Sequence, residues 1–295
     1  MTEIQIHHVM WQPQFQCTLK CTNCYISRSS MSQTDKLDTS ILELLDSGEV
    51  HCSQFTISLD NSFTPDQKLA EALAKFWERS RALTELCVTA RNYGSVQIWA
   101  RAMNMSVEEF ISPIKILTLS AMPSLGKRCL ALKELCEQQK TKLYHNKTVT
   151  KAMKEEDLGM RYVHQTYLIL NKEPLGDLQP PERLRDWGAS WKNIREAKNC
   201  NVIPDRCPSA ALCQNQSCKA GQDMVHIWPD GSVTGCPYDS NNVAGIAADS
   251  KETLWKRIQE IQSLPPDHST KHCKILQKII HYSNQKVVEK TIHEG

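Results

Sequence analysis

Short apolar runs rich in β-forming residues alternate with amphipathic helical stretches through the first two thirds of this chain, and that alternation leaves few folds open. It is the pattern of βα units wound around a parallel sheet. About six units can be read. Strands are expected over residues 9–15, 54–59, 85–90, 114–120, 142–149 and 162–170, with helices over 38–46, 65–80, 95–103 and 124–139 between them. Pro65 and Ser124 stand where helices favour a start. In the last helix Leu125, Cys129, Leu132 and Cys136 recur at helical spacing and form one apolar stripe. Free cysteine is most often a small buried residue, so Cys129 and Cys136 read as core, as do Cys52 and Cys87 within strand patterns.

At 295 residues the chain can bury one sizeable core and a smaller appended unit. The run NKEPLGDLQPPERL, rich in proline and polar residues, reads as a connection out of the first unit. The boundary is expected near residue 180, giving units of 1–180 and 181–295. Beyond it come a tryptophan-bearing helical stretch over 187–197, a cysteine group, a short hairpin, and helical patterns over 251–262 and from 271 onward. Lys and Arg number 35 against 33 Asp and Glu, so no global field draws nucleic acid or an anionic membrane. No apolar run approaches the ~20 residues of a membrane span, and MTEIQIHHVMWQPQF lacks the regions of a signal peptide. A cytoplasmic location is expected, with neither nucleic acid nor membrane as partner.

Thirteen cysteines are many for a reducing compartment, where such a pattern points to metal or redox chemistry. Cys17, Cys21 and Cys24 in QCTLKCTNCY have CxxxCxxC spacing. Four thiolates saturate a 4Fe-4S cluster, whereas three leave one iron open to a small molecule. A zinc site is the competing use of such cysteines, but the stretch from there to residue 50 offers no cysteine or histidine as a fourth ligand. His7 and His8 precede the motif and read as ordinary strand residues.

The motif, its place after a first strand and the βα series behind it resemble the radical S-adenosylmethionine (AdoMet) superfamily. The resemblance implies an α/β fold with a partial (β/α)6, TIM-like barrel, in which Cys17, Cys21 and Cys24 hold a 4Fe-4S cluster and AdoMet binds its open iron. It implies an external one-electron reductant such as flavodoxin or ferredoxin, reductive cleavage of AdoMet, and a 5'-deoxyadenosyl radical that takes a hydrogen atom from substrate. The position before the third cysteine, often aromatic in the family, is Asn23, with Tyr25 following; both are candidate cofactor contacts. The family's Gly-Gly-Glu element after strand two is replaced by Asp60-Asn61-Ser62. Asp60, or a nearby backbone carbonyl, is the candidate acceptor for the AdoMet ammonium, and Asp60 suits a turn before Pro65 equally well. Ser120, at the end of strand four, is a candidate ribose contact, because ligands of such folds sit at C-terminal strand ends.

The run CKAGQDMVHIWPDGSVTGCPY separates Cys218 from Gly231 by twelve residues and Gly231 from Cys236 by four. It reads as a cysteine, a strand with Val225 and Ile227, a turn at Pro229 to Gly231, a return strand and a second cysteine. Such a hairpin brings two thiolates to one edge. The segment resembles the SPASM auxiliary-cluster module, and since only Cys273 follows Cys236, its shortened form, Twitch. The resemblance implies a small C-terminal hairpin-plus-helix domain with one auxiliary 4Fe-4S cluster. Cys207, Cys213, Cys218 and Cys236 are the favoured ligands, with Cys273 or Cys200 as alternatives; zinc accepts the same four thiolates.

A fully ligated cluster cannot coordinate substrate, so its expected role is to accept an electron. The resemblance thus implies an oxidoreductase or maturase acting on a small molecule or peptide by a net two-electron oxidation, a dehydrogenation or cross-link. About sixteen residues precede the cluster loop, too few for an added leader-binding domain, which favours a small substrate or a separately recruited peptide. The competing expectation is a cysteine-rich zinc scaffold or binding protein without catalysis.

Overall fold

The computed structural model describes residues 3–14, 39–59, 65–120, 128–149, 163–170, 200–203, 220–229, 231–235 and 250–263. In chain order the elements are β1 (Ile4–Trp11), α1 (Ser40–Asp46), β2 (Val50–Leu59), α2 (Gln67–Leu83), β3 (Glu85–Ala90), α3 (Tyr93–Ala102), α4 (Val107–Ile111) and β4 (Ile114–Leu119). There follow α5 (Arg128–Gln138), β5 (Lys142–Val149), β6 (Gln165–Leu170), β7 (Cys200–Ile203), β8 (Met224–Ile227), β9 (Val233–Thr234) and α6 (Lys251–Gln262).

The sheet runs β7-β6-β5-β4-β3-β2-β1-β8-β9, so strands one to seven stand side by side in sequence order. All neighbours are parallel except β8 and β9. Parallel strands in sequence order need crossovers of one hand stepping in one direction, which puts the helices on a single face and curls the sheet away from them. The chain has the α/β fold of a partial TIM-like barrel, with a hairpin and a helix added after it. Strands from both sides of residue 180 share the one sheet: β7 extends it beyond β6, and β8 pairs with the opposite flank of β1.

The core lies between this sheet and its helices. Phe55, Ile57, Leu59, Val88, Ala90, Leu117, Leu119 and Leu143 form one cluster with Leu69, Leu73, Phe76 and Trp77 of α2 and with Val96 and Trp99 of α3. The buried α2 residues recur three and four apart, the stripe a helix lays on a sheet. Asp66 caps α2 by accepting from the Leu69 N–H at 3.1 Å, and the buried Trp77 indole donates to the Phe110 carbonyl at 2.8 Å. Cys52, Cys129 and Cys136 join the core as the sequence suggests.

Four elements depart from expectation. β1 spans Ile4–Trp11, earlier than 9–15, and its burial changes phase at His7-His8. Pro13, inside the expected span, has no N–H for a ladder. β2 changes phase at the neighbouring Ser53-Gln54 and begins at Val50. The unexpected α4 is fixed by a capping box, Ser106 with Glu109, visible as S-x-x-E. The unexpected β7 has only four residues. Among the described residues no helix is long and apolar enough to cross a membrane.

Candidate active site

Where a parallel sheet buries one face under helices, the alternate residues line the other. Ser58, Thr89, Thr118, Tyr144 and Gln165 follow one another in register across β2 to β6. Below them Met10, Thr56, Cys87 and Ile116 form a second row, continued on the other side by His226 of β8. Ser58, Thr89, Thr118 and Tyr144 are each partly exposed. The concave side therefore presents hydroxyls, in contrast to the apolar layers that fill a closed barrel.

Cys87 is buried, as its reading from sequence has it, and the register assigns it to this face. Gln54 Nε2 donates to its sulfur at 3.1 Å. Burial pushes the Cys87 thiol up to about 11, so it stays protonated near neutrality. Cys52, beside the Thr84 hydroxyl at 3.5 Å, is likewise raised to about 11, and Cys136 to about 12, both by burial. None of the three has the lowered pKa of a reactive or metal-binding thiolate.

Two histidines meet where β1 and β8 pair. His8 Nε2 lies 2.8 Å from Thr56 Oγ1. His226 is buried, its ring edge-on to Trp228 at 4.3 Å between centroids, and its Nδ1 has no hydrogen-bond partner. Burial, reinforced by His7 for His8 and by His8 for His226, pushes them down to about 4 and about 3. Both are neutral at physiological pH. In sequence His8 has the look of a plain strand residue, and the one signal at His226 is its flanking Val225 and Ile227, which mark it as facing the other way.

The C-terminal strand ends form the mouth. Gln12 continues β1 by donating from its N–H to the Ile227 carbonyl at 2.9 Å, after which the chain enters the segment carrying Cys17, Asn23, Cys21, Cys24 and Tyr25. Those five lie outside the described residues, as does Asp60 just past Leu59. Ser120, the one candidate cofactor contact that is described, sits at the mouth, its N–H donating to the Ala90 carbonyl at 2.9 Å. Arg91 follows Ala90 directly and takes the adjoining position, because Ala90 pairs with Leu119.

The hairpin has the expected form. Gly231, at φ +75°, donates from its N–H to the Trp228 carbonyl at 2.9 Å and closes the turn in a conformation that favours glycine. At its open end Gly221 and Gly235 touch: a Cβ on Gly235 would stand 2.7 Å from the Gly221 nitrogen and 3.0 Å from its Cα. Cys218 lies two positions before Ala220, and Cys236 follows Gly235 directly. The chain flanking these two cysteines is thus drawn together, as a shared metal centre requires, and thiolate donors suit iron-sulfur clusters and zinc alike.

Cys207, Cys213, Cys218, Cys236 and Cys273 lie outside the described residues, while Cys200 opens β7 at the far edge of the sheet from the hairpin. Among the described residues no group of three or more His, Cys, Asp or Glu could hold a metal ion.

No protein-family model matches the chain, and no curated protein matches it. Among solved structures it is similar to SuiB of Streptococcus suis, with 15% identity and a TM-score of 0.50 over 89% of this chain and 68% of that one. It also matches a mutant tryptophan synthase alpha-subunit from Pyrococcus furiosus at 12% identity and a TM-score of 0.39, covering 90% of this chain and 100% of that chain. Tryptophan synthase of Mycobacterium tuberculosis matches at 12% and 0.38, covering 88% and 91%. The likeness to SuiB shows the fold, a partial barrel with additions.

Proposed function

We propose that the chain is a radical AdoMet enzyme, in which Cys17, Cys21 and Cys24 hold a 4Fe-4S cluster over the mouth of the partial barrel. The observation that carries this reading is the exit of the cysteine segment from the C-terminal end of β1, beside the open, hydroxyl-lined concave face. Ligands of parallel α/β folds gather at that edge. When bound, the cluster and AdoMet supply reductive cleavage to a 5'-deoxyadenosyl radical, and the chain supplies binding, orientation and exclusion of side reactions.

Asn23 and Tyr25 contact the cofactor from the cysteine loop, Asp60 accepts its ammonium, and Ser120 reaches its ribose. The 181–295 unit, Twitch-like, holds an auxiliary 4Fe-4S cluster through Cys207, Cys213, Cys218 and Cys236. The Gly221–Gly235 contact supports the pairing of the last two, and the place of Cys200 at the opposite sheet edge supports leaving it out. The two cysteine segments join the sheet at different levels, one beyond Trp11 and the other near Asp223, whose carbonyl accepts from the His8 N–H. That separation suits one centre for starting chemistry and another for accepting an electron in a net oxidation of a small molecule or peptide. The cytoplasm, with a flavodoxin or ferredoxin as reductant, is the matching setting.

Protein purified without oxygen is expected to be brown, to carry ~4 to 8 irons per chain, and to release 5'-deoxyadenosine from AdoMet with a reductant. Cys17→Ala abolishes that release. Cys218→Ala or Cys236→Ala lowers iron by about one cluster of four, and unchanged iron would remove the auxiliary assignment. A colourless protein with stoichiometric zinc would replace the enzyme by the scaffold reading.

A further inference from the structure

Among the described residues Arg91 is a cation without an anion. It directly follows β3, where the alternation of Cys87 and Thr89 assigns it to the concave face, next to Ser120 at the mouth. It is partly buried, and its Nε is sealed from solvent with no hydrogen-bond partner. Among the described residues no carboxylate forms an ion pair with it. A guanidinium whose Nε is sealed from water without a partner carries an unmet hydrogen-bonding need that an incoming anion can meet.

The helix behind it sharpens the point. Arg91 immediately precedes Asn92, the N-cap of the ten-residue α3, and so stands at the positive end of that helix, where a cation is disfavoured and an anion welcome. No acidic residue occupies the first turn of α3. The Asn92 side-chain oxygen is already engaged by the Ser95 N–H at 2.9 Å. Both arginine and helix end therefore lack the same thing, and the planar guanidinium fork matches carboxylate and phosphate oxygens in particular.

We infer that Arg91 is a specificity-determining residue that binds an oxyanion, the carboxylate or phosphate of the molecule to be modified. The assignment rests on the enzyme reading above, in which Asn23, Tyr25, Asp60 and Ser120 serve AdoMet and Arg91 is left for the second substrate. An uncharged substrate would leave the guanidinium unpaired in the complex.

Inorganic phosphate serves as the probe, titrated into the anaerobically purified protein at constant ionic strength while the thermal midpoint is followed. The wild type is expected to rise saturably, Arg91→Gln to lose most of that rise, and Arg91→Lys to keep part of it with its charge. Equal shifts in wild type and Arg91→Gln, or none in the wild type, would overturn the proposal. A second arm titrates AdoMet into cluster-loaded protein: affinity within about twofold of wild type in Arg91→Gln is expected, and a tenfold loss would give Arg91 to AdoMet and overturn the substrate assignment. The phosphate arm needs no cluster chemistry. A protein that carries no iron sinks the enzyme reading and leaves the oxyanion result legible by itself.

Discussion

Gly235→Ala is expected to lower the thermal midpoint by ~5 °C or more and to loosen the hairpin from the barrel. The added Cβ would meet three backbone atoms, the Gly221 nitrogen at 2.7 Å, its Cα at 3.0 Å and the Ala220 carbonyl carbon at 3.0 Å. No side-chain rotation relieves a clash with backbone, so one strand must move. Gly221 cannot retreat cheaply, since its N–H donates to the Met224 carbonyl at 2.7 Å and α6 backs it through Ile261. Overpacking of this kind costs about 1 to 3 kcal/mol, and a chain of this size loses ~2 to 4 °C per kcal/mol.

Gly48→Ala is the control: its φ of +73° strains a side chain, but the nearest atom is a flexible His51 ring carbon at 3.5 Å. It should cost about 1 kcal/mol and leave the hairpin alone. The two substitutions differ further in iron. If Cys218 and Cys236 share a centre, Gly235→Ala lowers bound iron and Gly48→Ala does not. A midpoint for Gly235→Ala no lower than that of Gly48→Ala would show that the glycine contact is loose.

That contact illustrates what the sequence could and could not disclose. The turn at Pro229 to Gly231 was readable because its signal is local, and so were the limits of β3, β5 and α6, which fall where the apolar pattern puts them. The closeness of Gly221 and Gly235 is a meeting of distant backbones with no side-chain pattern to announce it. β1 was misplaced because paired polar residues, His7-His8, interrupt its alternation, and the compensating change of phase lies in another strand. Cys87 shows the same limit on the site. Between Leu86 and Val88 it reads as buried, which it is, but strands of a parallel sheet read as apolar on both sides, so the pattern does not say which face it takes. Only the register with Thr56 and Ile116 assigns it to the open face. Ser120 was legible from its place at a strand end. Arg91 was not, because its lack of an ion-pair partner among the described residues becomes visible only when its neighbours are known.

Acid should unfold this protein early, and the histidines at the β1–β8 junction supply the reason. His226 and His8, pushed down to about 3 and about 4 in the fold, return to about 6.5 when the chain unfolds. Because the unfolded chain then binds protons that the fold rejects, stability is intact above pH 6.5 and falls as the pH drops towards 4. Each histidine can contribute a loss of up to about 1.4 kcal/mol per pH unit in that window. Between pH 7.5 and pH 5 the two together amount to roughly 2 to 4 kcal/mol, with the smaller share from His8, which keeps some solvent contact.

Among the described residues the groups that face His226 are His8, Met10 beside it on β1, Trp228 and the Thr234 opposite it, and none of these supplies a negative charge to welcome a proton. Protonation must therefore break the packing of β8 on β1, and the hairpin should detach before the rest of the sheet melts. Urea midpoints at pH 7.5 and pH 5 measure the loss. His226→Gln, which keeps polarity without the titration, should remove about half of the pH dependence even if it lowers stability at both values. If the difference between the two pH values is the same in His226→Gln as in wild type, carboxylates elsewhere govern the acid response and the junction does not.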